Sequence, residues 1–401
     1  MKILVVGLST RACVESAVRS GYDVVSLDAF GDLDLEGLCP AYSLRRDFGM
    51  PFSAAGLFSG SRGLPHEALV YCSSLENHPA VVRRFARHCC ILGNPAEVLA
   101  RVRHWPTLFG ALSEAGFRAP ETLYDREGRG ADPRKTWLRK PVRSGGGYRN
   151  AFWQPGKPVG RGFLLQEYLP GLPCSASFVA NGEGCVLIGL TEQLIGRPEL
   201  DASGFAYCGN ILPLAEARDP AVGPGILRQV QELAQWLTRT FGLVGVNGFD
   251  FILADRQVWL LEVNPRYSAS MELIERAYGL PVFDLHVRAV LEGHLPTFDL
   301  ALRLGRGPFV AKGILYAQQT FRAPDTRDWL GRGIRDVPHP GEEMPRGGPV
   351  CTLFATAPTR DACLAGLVET ARTLKGEIYG ELQVDLDYRA LDEAGHRHLR
   401  R

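Results

Sequence analysis

The stretch from Phe249 to Arg266, FDFILADRQVWLLEVNPR, limits what this chain can fold into more than any other. Two apolar, β-prone runs, Phe249 to Leu253 and Trp259 to Val263, flank a short polar turn at Asp255, Arg256 and Gln257, which predicts an antiparallel hairpin. Side chains alternate along a strand, so Glu262 and Asn264 fall on one face while Leu261 and Val263 point to the other. A loop centred on Arg256 sets Asp250 opposite Glu262, and three oxygen-bearing side chains converge. Facing carboxylates repel and lose hydration, so such a pair is stable chiefly when a cation fills it. Oxygen-only ligands, few in number, suit Mg²⁺ that keeps waters and shares phosphate oxygens. The plainer alternative is a hairpin whose polar face is simply solvated.

At E-V-N-P-R the sequence resembles the ATP-grasp superfamily, whose members end the nucleotide site with a metal-binding Glu and Asn followed by Pro-Arg. The resemblance implies that Asp250 and Glu262 are acidic Mg²⁺ ligands, Glu262 bridging two ions, with Asn264 the third ligand; Mn²⁺ could substitute. It also implies that Arg266 is the cation beside the γ-phosphate of ATP and the reacting carboxylate.

A second segment supports it. The strand Trp137 to Lys140 runs into R-K-P-V-R-S-G-G-G-Y-R-N, and glycines after a cation let backbone amides approach phosphate oxygens while Lys140 offers a point charge. A bare triple glycine is as often only a flexible turn. Within the resemblance, Lys140 is a phosphate-binding and catalytic lysine, and Ser144, Gly145, Gly146 and Gly147 form the mobile phosphate loop. L-L-Q-E-Y-L-P-G, from Leu164 to Gly171, is then the linker between two ATP-binding lobes. Backbone groups of Glu167 and Leu169 would pair with adenine, and Tyr168 would pack nearby. One expected element is missing: where the family places a first phosphate-binding lysine, this chain has Arg103, His104 and Trp105. Arg103 could serve as the cation, although a planar guanidinium is no geometric equivalent of an ammonium.

The N-terminus reads as β-α-β: a strand at Ile3 to Val6, a helix at Ala12 to Ser20 and a strand at Asp23 to Leu27 ending at Asp28. G-x-G-x-x-G is absent, so a dinucleotide site using Asp28 is the minor alternative to a structural turn. Thr10 and Arg11, at a strand's carboxyl end, could contact an anionic substrate group or serve as cap and surface residues. G-L-S-T-R-A, T-E-Q-L-I-G and F-A-Y-C-G-N-I-L-P resemble a narrower group, the predicted ATP-grasp carboligases related to biotin carboxylase and to tyramine-glutamate ligase. Glu192 and Gln193 in the second phrase either line the cleft or lie on a solvated strand face. Later in the chain, Lys312 and Arg346 could reach the cleft, but surface charge is the reading preferred.

The fold class expected is α/β (α+β), an ATP-grasp fold in three parts. These are an N-terminal Rossmann-like domain at 1–105, a two-lobed ATP-binding region at 106–298 and a small β-rich C-terminal domain at 299–401. A net charge of +1, from 45 basic and 44 acidic residues, gives no electrostatic case for nucleic acid or an anionic membrane. The opening MKILVVGLST has only a strand-length apolar run, neither a signal peptide nor a span, which places the protein in the cytoplasm. Ten scattered cysteines without a C-x-x-C pair read as reduced core thiols, and Cys174 has no accompanying base that would make it a nucleophile.

The function expected is an ATP- and Mg²⁺-dependent carboxylate-amine ligase working through an acylphosphate, with small-molecule carboxylate and amine substrates; a homodimer is compatible with it. The tyramine-glutamate ligase resemblance points to glutamate with an aromatic amine or amino acid in one-carbon cofactor synthesis. The alternatives are a bicarbonate-phosphorylating carboxylase and a nucleotide-binding regulatory protein with weakened catalysis.

Overall fold

The computed structural model describes residues 1–380, so the last part of the C-terminal segment, 381–401, lies outside the described residues. The first domain is a parallel sheet of β1 (Ile3–Val6), β2 (Val24–Asp28), β3 (Ala41–Ser43), β4 (Ala68–Tyr71) and β5 (Cys90–Ile91), in the order β3-β2-β1-β4-β5. β1 and β4 are short unbroken runs of buried apolar residues, as a sheet covered on both faces requires. The strand order reverses between β1 and β4, and the loops leaving their carboxyl ends face the rest of the molecule.

A small antiparallel sheet follows: β6 (Thr122–Leu123), β7 (Trp137–Pro141), β8 (Ala151–Phe152) and β9 (Phe163–Glu167), ordered β6-β9-β7-β8. The central sheet contains β10 (Leu172–Asn181), β11 (Cys185–Ile195), β12 (Tyr207–Leu212), β13 (Val244–Ala254), β14 (Gln257–Asn264) and β15 (Phe309–Tyr316). After a ribbon of β16 (Phe321–Arg322) and β17 (Glu343–Met344), β18 (Pro349–Ala357) completes it. The antiparallel order is β14-β13-β10-β11-β12-β15-β18, so strands beyond residue 299 are continuous with those of the ATP-binding region.

The two faces of this sheet differ. Cys174, Ala176, Phe178, Phe249 and Phe251 point to one side, where they meet Ile226, Val230, Leu233 and Leu237 of the helix Gly223–Phe241. That helix carries its apolar residues at helical spacing and ends at Gly242, whose φ of 72° suits a left-handed cap. Each such buried aliphatic contributes roughly 1.5–3 kcal/mol. The alternate residues, Ser175, Ser177, Thr191, Asn210 and Asp250, form the polar floor of a cleft. Among the described residues no helix is long and apolar enough to cross a membrane.

Candidate active site

Asp250 lies opposite Glu262, and Gly248 opposite Asn264. The route to that register is not the simple one. The turn is Asp255 and Arg256 alone, both with positive φ (49° and 61°), and Gln257 already pairs with Ala254. Such a turn would set Asp250 against Leu261, but the ladder shifts between Asp250 and Phe251, leaving Leu261 as the extra residue of a bulge. The bulge also switches the face that β14 presents to the core. Val258 and Leu260 are buried before it, Val263 after it.

Asp250 is an unhappy acid as it stands. Burial first, then the charge of Glu262, pushes its carboxyl up to about 7, although Asn264 and Gln193 donate to it. The Asn264 Nδ2 to Asp250 Oδ2 distance is 3.1 Å, while Asn264 Oδ1 accepts from Arg266 Nη2 at 3.4 Å. Glu262 behaves in the opposite way. Burial disfavours its charge, but Arg103 and Lys140 outweigh that and hold it below the usual carboxylate range. Mg²⁺ fits this set: the donors are all oxygen, and Asp250 is buried beside a second carboxylate, Glu262. Two carboxylates and one carboxamide leave other coordination positions for water and phosphate.

Three cations surround the pair. Arg103 donates from Nη1 to Glu262 Oε2 (3.2 Å) and to the Val263 carbonyl (2.8 Å). Lys140, on β7, donates to Gln166 Oε1 at 2.8 Å and sits 5.3 Å from the centre of the Trp105 ring. Burial lowers its pKa, which Glu262 and Asp250 partly restore. Arg266 donates from Nε to Glu76 Oε1 at 2.9 Å.

The glycine loop runs on from β7. Gly146 and Gly147 have positive φ, 61° and 72°, and the Tyr207 amide donates to the Gly146 carbonyl at 3.0 Å. A Cβ on Gly147 would lie 1.7 Å from the Phe205 carbonyl oxygen, so only glycine allows this approach. Gly146 and Gly147 thus dock against the loop ahead of β12, while the Ser144 carbonyl accepts from Asn77 Nδ2 at 3.4 Å and Gly145 stands in open space. Glu167, Tyr168 and Leu169 lead from β9 towards β10. The Glu167 and Tyr168 amides are taken by the Glu121 and Thr136 carbonyls, and the Tyr168 ring meets Phe152 edge-on at 5.3 Å.

Other expected residues go elsewhere. Thr10 is the N-cap residue of the helix Arg11–Arg19 but is buried, and its side chain makes no cap bond: its amide and hydroxyl hold the buried Asp28 carboxylate, at 3.0 and 2.8 Å. Arg11 is 1% exposed and its guanidinium is occupied by Glu272, Asp336 and Glu15, which leaves it no part in binding a substrate anion. Asp28 is likewise closed to a ribose, since the Phe30 and Gly31 amides also donate to it. Glu192 faces away from Asp250, paired with Arg360 at 2.9 Å; of the two neighbours only Gln193 meets the cleft. Lys312 is buried and bound to Glu272 at 2.8 Å, whereas Arg346 is on the surface. Burial raises the Cys174 thiol well above its ordinary value, so it is no nucleophile.

Residues unforeseen in the sequence include Gln166, which holds Lys140, and Glu76 with Asn77, which hold two of the arginines. The local signal for Glu76 and Asn77 is a mostly polar stretch, Ser73 to His78, at the end of a buried strand and ahead of Pro79.

Residues 106–270 match the ATP-grasp domain family. The chain is 23% identical over 189 residues, 47% of its length, to the carbamoyl phosphate synthase large chain of Clostridium beijerinckii, and spans 16% of that relative. Among solved structures it is similar to biotin carboxylase from Campylobacter jejuni in complex with β,γ-ATP. The TM-score is 0.68 at 12% identity, covering 90% of this chain and 89% of the other. It is also similar to N5-carboxyaminoimidazole ribonucleotide synthetase from Thermus thermophilus. There the TM-score is 0.64 at 16% identity, covering 94% and 98%. The chain therefore has the ATP-grasp fold, and its match to the ATP-grasp domain family lies in the segment 106–270.

Proposed function

We propose that this chain is an ATP- and Mg²⁺-dependent carboxylate-amine ligase that forms an amide through an acylphosphate. The observation that carries the proposal is the facing pair Asp250 and Glu262 with Arg103, Lys140 and Arg266 around it. When bound, Mg²⁺ on Asp250, Glu262 and Asn264 would neutralise phosphate charge. Lys140 and Arg266 stabilise the transferring phosphoryl group, and amides of the loop Ser144 to Gly147 cover the phosphates. Glu167, Tyr168 and Leu169 border the adenine. A substrate carboxylate oxygen attacks the γ-phosphorus as the bond to the ADP oxygen breaks. An amine nitrogen then attacks the acyl carbon, phosphate leaves and the nitrogen loses a proton. Positioning and charge do the work, with no covalent nucleophile. Glutamate with an aromatic amine or amino acid is the substrate pair proposed, on the resemblance of G-L-S-T-R-A and T-E-Q-L-I-G to the tyramine-glutamate ligase group.

A second reading, phosphorylation of bicarbonate, is favoured by the likeness to biotin carboxylase. One experiment separates them: Mg²⁺-dependent ADP release with pooled carboxylates and amines, or with bicarbonate, beside Glu262→Gln and with mass spectrometry of the products. A water-loss conjugate made only by the native protein supports the ligase. ADP release that needs bicarbonate and no amine supports the carboxylase, and no release from any pool counts against both.

A further inference from the structure

The chain leaves β4 through one 3-10 turn, Leu75–Asn77, beside the point where the parallel sheet reverses its strand order. Two consecutive residues of this turn, Glu76 and Asn77, are 1% and 6% exposed, and each grips a different arginine of the cleft. Glu76 Oε1 accepts from Arg266 Nε at 2.9 Å. Asn77 Oδ1 accepts from Arg103 Nε and Nη2 at 3.1 and 2.7 Å, and Asn77 Nδ2 donates to the Ser144 carbonyl at 3.4 Å.

A guanidinium is a rigid plane of donors, so fixing one edge aims the remaining N–H groups. Arg103, held by Asn77, points Nη1 at Glu262; Arg266, held by Glu76, points Nη2 at Asn264. We propose that Glu76 and Asn77 are positioning residues of the nucleotide site. Glu76 sets Arg266, while Asn77 sets Arg103 and the start of the glycine loop. The difference in charge matters. A carboxylate suits Arg266, whose other hydrogen bonds among the described residues go to neutral oxygens of Tyr267 and Asn264. At position 77 a neutral carboxamide orients Arg103 without cancelling the charge that Arg103 presents to Glu262.

The inference rests on the ATP reading, and the test is chosen to separate the two. Calorimetry on the full chain would measure binding of Mg²⁺ with ADP and with a non-hydrolysable ATP analogue, alongside melting temperature. Asn77→Asp keeps shape and hydrogen bonding but adds a negative charge, and is expected to weaken both nucleotides about tenfold with the melting temperature held. Glu76→Gln is expected to leave ADP binding unchanged and to reduce the preference for the triphosphate several-fold; Glu76→Asp should restore part of it. Should Glu76→Gln fail to fold, Asn77→Asp decides alone. Native-like binding of both nucleotides by the variants, or losses that only track melting temperature, would overturn the inference. If the native protein binds neither nucleotide, the ATP reading itself falls and this inference with it.

Discussion

Asp250 faces Glu262 because Leu261 bulges out of β14, and of the two acids only Glu262 has arginine and lysine charges strong enough to keep it ionised. The pair is therefore electrostatically unequal. Asp250 has a folded pKa of about 7 against 3.8 for the free group, so without metal its contribution to stability is lost as pH rises through that window. On the proposed function, metal binding would displace its proton. The affinity for Mg²⁺-nucleotide should tighten by roughly tenfold per unit up to about pH 7 and then level off, as calorimetry from pH 5.5 to 8.5 would read. Asp250→Asn should raise the melting temperature of the metal-free protein at pH 8, abolish this pH slope and weaken Mg²⁺-nucleotide by about tenfold or more.

His286 sets a different pH limit. Its Nδ1 accepts from the Val246 amide at 2.9 Å and its Nε2 lies 2.9 Å from the Leu92 carbonyl, an arrangement only the neutral ring satisfies. Burial lowers its pKa to about 4 from 6.5, so the unfolded chain binds a proton first. Stability falls as pH drops through that window, by about 3 kcal/mol. Urea unfolding at pH 7 and pH 4.5 should show the loss, and His286→Gln should flatten it.

The glycine loop gives a paired test. Gly147→Ala meets both the Phe205 carbonyl and a positive φ, whereas Gly145 has open space around its Cα and no positive φ. Nucleotide affinity should drop by roughly tenfold in Gly147→Ala and stay near native in Gly145→Ala. Equal affinities in a titration would remove the loop from the site.

Glu272 joins Arg11, from the first domain, to Lys312, on β15. Burial opposes its charge, but the two cations hold its carboxyl far below the ordinary range. Its contribution is present above pH 4.5 and fades on acidification. Glu272→Gln leaves buried cations short of a partner and should cost about 3–5 kcal/mol in guanidinium unfolding at pH 7.

The hairpin and the glycine loop were legible because their signals are local: alternation places acids, and consecutive glycines mark a backbone others cannot follow. The bulge was not, since Leu261 is one apolar residue in a run of them. The fates of Arg11 and Lys312 depend on Glu272, which lies 261 and 40 positions away, and no pattern near either announces it. Asn77 was hidden similarly. Its role appears only when the end of β4 is laid against Arg103 and Ser144.

The stretch that carries the family signature stops at 270, yet β12 pairs on one side with β15, beyond that limit. Excised alone, residues 106–270 would present Tyr207–Leu212 as a bare strand edge, open to pairing with other chains. The segment is thus recognisable as a unit without being transplantable as one. Moving its chemistry into a new host protein means carrying β15, and the helix Met271–Tyr278 that meets Arg11, along with it.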